Sequence, residues 1–136
     1  MEYTFKKTPV EKLYVNGQLV DAETTPTFGD DRGYFTALPF ESDSRRAYLL
    51  KNHRAGIVRA FHGHKQESKT LYLLRGACKV AVIDMQTGEW KLFVLTEKGA
   101  NKLKVPAATF NGFVSLTEDA ELLVISNRTY EESKAD

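Results

Sequence analysis

The sequence predicts a single all-β domain built as a sandwich or barrel. Three observations lead there. From about residue 44 onward, short β-rich runs alternate with turn signals roughly every ten residues. No stretch shows the period of a long helix. The 136 residues are enough to enclose one hydrophobic core but too few for two sound ones.

Taken in chain order, the first element is a hairpin, 12–15 and 18–20, because Asn16-Gly17 supplies the positive φ angles of a tight turn. Residues 1–26 are therefore expected to form an N-terminal hairpin arm, a candidate homodimer contact. Thr24-Thr25-Pro26-Thr27 leads into Phe28-Gly29-Asp30-Asp31-Arg32-Gly33-Tyr34-Phe35, a turn that returns to extended chain. Strands are then expected over 46–50, 57–61, 70–74, 78–83, 90–95, 102–105, 112–116 and 121–126. Arg75-Gly76, Gln86-Thr87-Gly88, Glu97-Lys98-Gly99 and Thr117-Glu118-Asp119 punctuate them. The polar tail, residues 130–136, is expected to fray.

Composition narrows the function classes. Nineteen Lys and Arg nearly balance eighteen Asp and Glu, so no global field exists to hold nucleic acid or an anionic membrane. An anionic ligand must be held locally. The first residues lack the apolar stretch of a signal peptide, and no segment approaches the ~20 apolar residues of a bilayer span, which makes the expected location cytoplasmic. Cys78 stands alone in an apolar run, so it reads as a small buried filler rather than a nucleophile.

The densest chemistry lies in Val58-Arg59-Ala60-Phe61-His62-Gly63-His64-Lys65-Gln66-Glu67-Ser68-Lys69. Residues two apart on a strand share a face, so His62 and His64 point into one cavity, with Lys69 reaching it from the start of the next strand. A neutral imidazole beside cations is a fit base, since nearby positive charge and desolvation both disfavour its protonation. A lone His is more often simply solvated or hydrogen-bonded in place. Two on one face beside Lys69 and Arg59 tip the balance toward a site.

Several segments in order, Phe28 to Phe35, Asn52-His53, Val58-Arg59-Ala60-Phe61-His62, Lys69 with Gly76, and Val105-Pro106-Ala107-Ala108-Thr109-Phe110-Asn111-Gly112-Phe113-Val114-Ser115-Leu116, carry a family likeness. The chain resembles the dTDP-4-dehydrorhamnose 3,5-epimerases over roughly residues 27 to 126. The resemblance implies a cupin, a jelly-roll β-sandwich, acting on a nucleotide-diphosphate-linked 4-keto sugar in cell-surface polysaccharide synthesis. It makes His62 the base that removes a proton beside the ketone and Lys69 the partner of the enolate oxygen, with His64 beside them. An enolate needs just such a base and a cation aimed at the developing charge. Arg59 resembles a residue that positions the diphosphate, although a surface ion pair explains it equally well. Arg32, beside Asp31, matches an Arg used for nucleotide binding, often across a dimer; a well-made turn is the plainer reading.

Departures bear on the reaction. The family's His before Gly-Phe is Asn111, which can orient substrate but cannot shuttle protons at neutral pH. The family's catalytic Tyr falls at Val124, and the family's C-terminal segment, whose Asp pairs with the base, has no match here; Asp119, Glu67 and Glu121 are the candidates to replace that Asp. Phe61-His62-Gly63-His64-Lys65 and Arg46-Ala47-Tyr48 resemble instead the dTDP-sugar 3,4-ketoisomerases. Moving a carbonyl through an enediol proceeds from one face, whereas inversion requires a donor opposite the base, a role for which Tyr48 and Tyr72 are the candidates. On extent of match the epimerase reading comes first, the ketoisomerase second, and an inactive nucleotide-sugar-binding cupin third. Gly56 and His62-Gly63-His64 also open a metal-cupin pattern, but Glu67 stands one position early and Asn111 replaces the last His. Two His and one ill-placed Glu make a thin ligand set, so the expected chemistry uses no metal and no other cofactor.

Overall fold

Alternating apolar side chains draw the chain into two facing antiparallel sheets. The computed structural model describes residues 3–136, so the first two residues of the expected arm lie outside the described residues. The strands are β1 (Leu13–Val15), β2 (Gln18–Val20), β3 (Ala22–Glu23), β4 (Thr27–Asp30), β5 (Gly33–Thr36), β6 (Arg46–Lys51), β7 (Val58–His64), β8 (Lys69–Arg75), β9 (Ala77–Asp84), β10 (Trp90–Thr96), β11 (Lys102–Val105), β12 (Thr109–Ser115) and β13 (Glu121–Ser126). Helix α1 (Tyr130–Ala135) follows. Each of the eight runs expected from residue 46 onward is a strand, β6 to β13.

One sheet has the order β10-β9-β12-β7 and the other β3-β11-β8-β13-β6. From β6 onward the chain changes sheet at every connection except the β9–β10 hairpin, which is the winding of a jelly roll. The core between the sheets includes Leu71, Leu73, Val80, Val82, Phe93, Leu95, Leu103 and Leu122. Burial of that apolar surface is the main force holding the layers together. Cys78 belongs to this core, fully buried, with its thiol pushed up to about 12 by burial, so it is the inert filler the sequence suggested.

Asn16 and Gly17 take positive φ at the β1–β2 turn, as their types dictate. The hairpin is not a free arm, because its inner row, Leu13, Val15 and Val20, packs into the chain's own core. Tyr14 and Leu19 on its outer row stay exposed. The ribbon that does project is β4–β5, all but one of whose residues are exposed.

The tail also departs from expectation. Residues 130–136 were expected to fray because they are polar, yet that polarity builds a capped helix and its anchors. Thr129 and Glu132 form a reciprocal capping box at the start of α1. Arg45 and Arg128 pair with the same Glu132 carboxylate at 3.2 and 3.5 Å. The Asp136 side chain accepts backbone N–H bonds from Lys65, Gln66 and Glu67. No helix among the described residues is long and apolar enough to cross a membrane.

Candidate active site

The two sheets part at one end around a cavity of about 250 Å³. Strand parity decides most of what enters it, and on β7 a register shift opposite Asn111 and Phe113 brings Arg59 and His62, of opposite parity, to the same cavity. On β7, Arg59, His62 and His64 line the cavity, and β12 adds Asn111 and Phe113. The opposite sheet contributes Arg46 and Tyr48 from β6, Lys69 and Leu71 from β8, and Leu122 and Val124 from β13. Ser133 of α1 closes one side. The polar groups stand together, and Leu50, Leu71, Val80, Leu122 and Val124 form an apolar remainder.

His62 and Lys69 thus reach one hollow from facing sheets. Burial holds the His62 imidazole below its ordinary 6.5, helped by the charges of Lys69, His64 and Arg59. Such a ring is neutral at pH 7 and free to accept a proton. Lys69 is 9% exposed, and its ammonium is drawn below 10.5 by burial and by Arg46, against the raising effect of Glu67. A cation this poorly solvated gains much from a negative oxygen brought beside it.

Glu67 is the buried centre of the polar end. Its carboxylate accepts hydrogen bonds from Arg46 at 3.0 Å, the Ser126 hydroxyl at 2.6 Å and the Ser133 hydroxyl at 2.8 Å. His64 Nε2 lies 3.3 Å from Glu67 Oε2, while His64 Nδ1 faces Asp136 Oδ2 at 3.6 Å. Glu67 therefore partners His64 and not His62, which among the described residues has no carboxylate at ion-pair distance. Asp119 and Glu121 are absent from the cavity lining.

Asn52 explains the Asn-His motif: buried, it donates to the Ile57 carbonyl and Ser115 hydroxyl, and its own oxygen accepts from Arg59 Nε at 2.7 Å. The Arg59 guanidinium is thereby fixed at the cavity wall. Asn111 lies alongside, its amide donating to the His62 carbonyl at 3.4 Å. Tyr48 carries the Arg46 guanidinium over its ring at 5.1 Å, and burial together with the Glu67 charge raises its phenol above 10 against the influence of Arg46. It is a proton donor at neutral pH.

Three expected site residues lie elsewhere. Tyr72 has the opposite parity to Lys69 on β8, so it sits on the outer face of the sheet and donates its hydroxyl to the Pro39 carbonyl. Asp31 and Arg32 occupy the β4–β5 turn, away from this cavity in their own chain. Arg32 is exposed and pairs with Asp30, lining a separate hollow with Phe28, Tyr34 and Phe35. Sequence reasoning missed Arg46 and Ser133 as cavity residues. The parity of Arg46 with Tyr48 was a visible signal for the first, and the Thr129-x-x-Glu132 capping box was a signal for the helix that carries the second.

Comparison with known proteins agrees with this architecture. A family model described as FdtA: WxcM-like, C-terminal matches residues 19–135. No curated protein matches the chain. Among solved structures, the QdtA 3,4-ketoisomerase of Thermoanaerobacterium thermosaccharolyticum, in a mutant form with TDP-4-keto-6-deoxyglucose, is 22% identical, with a TM-score of 0.71 over 84% of this chain and 83% of that one. The TDP-quinovose 3,4-ketoisomerase of Campylobacter jejuni is 19% identical, with a TM-score of 0.69 over 82% and 86%. The dTDP-4-dehydrorhamnose 3,5-epimerase of Bacillus anthracis, with TDP and PPi bound, is 20% identical, with a TM-score of 0.69 over 78% and 70%. At these identities the likeness establishes the cupin jelly-roll fold.

Proposed function

The chain belongs to the FdtA family of WxcM-like, C-terminal domains, and from that premise we propose that it isomerises a nucleotide-diphosphate-linked 4-keto-6-deoxy sugar by proton abstraction next to the ketone. The observation that carries this reading is the convergence of His62 and Lys69, from facing sheets, on one cavity.

The geometry favours carbonyl migration. His62 takes the proton from C3, and the C–H electron pair moves toward the C4 carbonyl oxygen, where Lys69 meets the developing charge. Tyr48, in the same charged cluster, protonates that oxygen to give the enediol. The proton then leaves the C3 hydroxyl for the Tyr48 oxygen, and His62 returns its own proton to C4. Every proton is conserved, and all transfer at carbon occurs on one face. Arg59, held by Asn52, and Asn111 are placed to orient the substrate. No redox or metal step enters this sequence. Val124, where the epimerases carry a Tyr, leaves an apolar wall that offers no proton. The second reading, epimerisation, is favoured by the position of Tyr48 directly beside Val124.

Within the cavity Arg46 is paired with Glu67 and Lys69 is assigned to the ketone oxygen, which leaves Arg59 for the diphosphate. Arg32, with Asp31, would serve the nucleotide from a second copy, since the β4–β5 ribbon projects from its own chain with Phe28, Tyr34 and Phe35 exposed. A homodimer and a cytoplasmic place in polysaccharide sugar synthesis accompany this reading. The test is incubation with TDP-4-keto-6-deoxyglucose followed by 13C NMR of the product. A 3-keto sugar supports migration, an inverted 4-keto sugar supports epimerisation, and unchanged substrate removes both.

A further inference from the structure

Helix α1 buries none of its residues, yet one of them, Ser133, forms part of the cavity wall. Polar contacts hold it there. Ser133 donates to Glu67 Oε2, and just beyond the helix the Asp136 carboxylate sits in a cradle of three consecutive backbone N–H groups, Lys65 at 3.0 Å, Gln66 at 3.0 Å and Glu67 at 2.9 Å. Convergent amides of this kind form a nest for an anion. His64 lies between the two carboxylates, with Nε2 turned to Glu67 and Nδ1 to Asp136. The buried Nδ1 makes no hydrogen bond, and the Asp136 carboxylate is an ion-pair neighbour only.

We propose that Glu67 and Asp136 are positioning residues that clamp His64 from both sides, so that His64 and the terminal helix form a fixed wall of the active site and His62 alone carries protons at carbon. With Nε2 facing one carboxylate and Nδ1 the other, both ring nitrogens are turned to protein groups. His62, on the same face two residues earlier, has no such clamp. The wall matters because reacting groups must be held within a fraction of an ångström, and a displaced wall misplaces the sugar that leans on it. The kinetic part of this inference rests on the isomerase reading; the structural part does not.

The test compares His64→Gln, His62→Gln, Asp136→Ala and Asp136→Asn in the full chain, reading kcat, KM, TDP affinity and amide hydrogen exchange. His64→Gln is expected to lower kcat by no more than about tenfold, whereas His62→Gln lowers it at least ~100-fold. Asp136→Ala is expected to lower kcat on the order of 10- to 100-fold with little change in TDP affinity. The same variant should expose the amides of residues 65–67 to exchange, and Asp136→Asn, which keeps one acceptor oxygen, should recover part of both effects. His64→Gln as damaging as His62→Gln would overturn the clamp, as would protected amides at 65–67 or unaltered kcat in Asp136→Ala. If the wild-type protein turns over no 4-keto sugar, the isomerase reading fails, and the exchange measurement decides the clamp by itself: lost protection in Asp136→Ala supports it and retained protection ends it.

Discussion

Val124 and Tyr48 are direct cross-strand partners on the cavity side of β13 and β6. The position where the resembling epimerases hold a phenol is thus aliphatic, and a phenol stands one strand away beside Arg46 and Glu67. The phenol stays on the same wall as Val124, with the Arg46 guanidinium over its ring. Tyr48→Phe is expected to lower kcat on the order of 100-fold while TDP still binds, as measured by steady-state kinetics and calorimetry.

His62 gives a pH signature. Its imidazole lies below 6.5 because of burial and then of Lys69, His64 and Arg59, so the acidic limb of kcat/KM is expected below pH 6.5. Lys69→Met removes one of these charges, and NMR titration of His62 in that variant should move upward toward 6.5. A downward shift would place Lys69 away from the ring.

Glu67 gives a stability signature. Burial pushes its carboxyl up, but hydrogen bonds from Ser126 and Ser133 and the charges of Lys69 and His64 outweigh burial, leaving it below its ordinary 4.5. A lowered folded value means that the contribution is full above about pH 4.5 and is lost as pH falls through the folded value. Glu67→Gln is expected to cost about 3 kcal/mol at pH 7, because it leaves the Arg46 guanidinium, only 20% exposed, without its counter-charge. Denaturant midpoints at pH 7 and pH 3 check this, with the difference between wild type and variant shrinking at the lower pH.

The projecting β4–β5 ribbon predicts self-association. Light scattering should show a dimer, and Arg32→Ala should raise KM for the nucleotide sugar several-fold with kcat little changed, since the contact would be to a part of the substrate remote from the chemistry. A monomer of full activity would separate Arg32 from the site.

Much of this was legible in the sequence because strands have a period of two. His62 with His64, and Arg46 with Tyr48, announce shared faces by spacing alone, and Asn16-Gly17 announces its turn by backbone chemistry. The same rule places Tyr72 opposite Lys69 on the regular part of β8, and so out of the cavity, but it fails on β7, where a register shift brings Arg59 and His62 to one side. What parity cannot give is which sheet a strand joins and which distant segment closes the mouth. Ser133 and Asp136 reach the site through long-range polar pairing, and a polar tail looks the same in sequence whether it is solvated or anchored. The ribbon carrying Arg32 is exposed along nearly its whole length, and spacing alone does not say what it meets.

The central claim is that His62 and Lys69 act together on one ketone. It is tested most directly by following deuterium from solvent into TDP-4-keto-6-deoxyglucose by NMR with wild type, His62→Asn and Lys69→Met. The account predicts rapid entry at carbon next to the ketone with wild type and a loss of ~100-fold or more in each variant, with binding of the sugar nucleotide retained. Label entering at the wild-type rate in either variant, or no label entering with the wild type despite saturable binding, would contradict it.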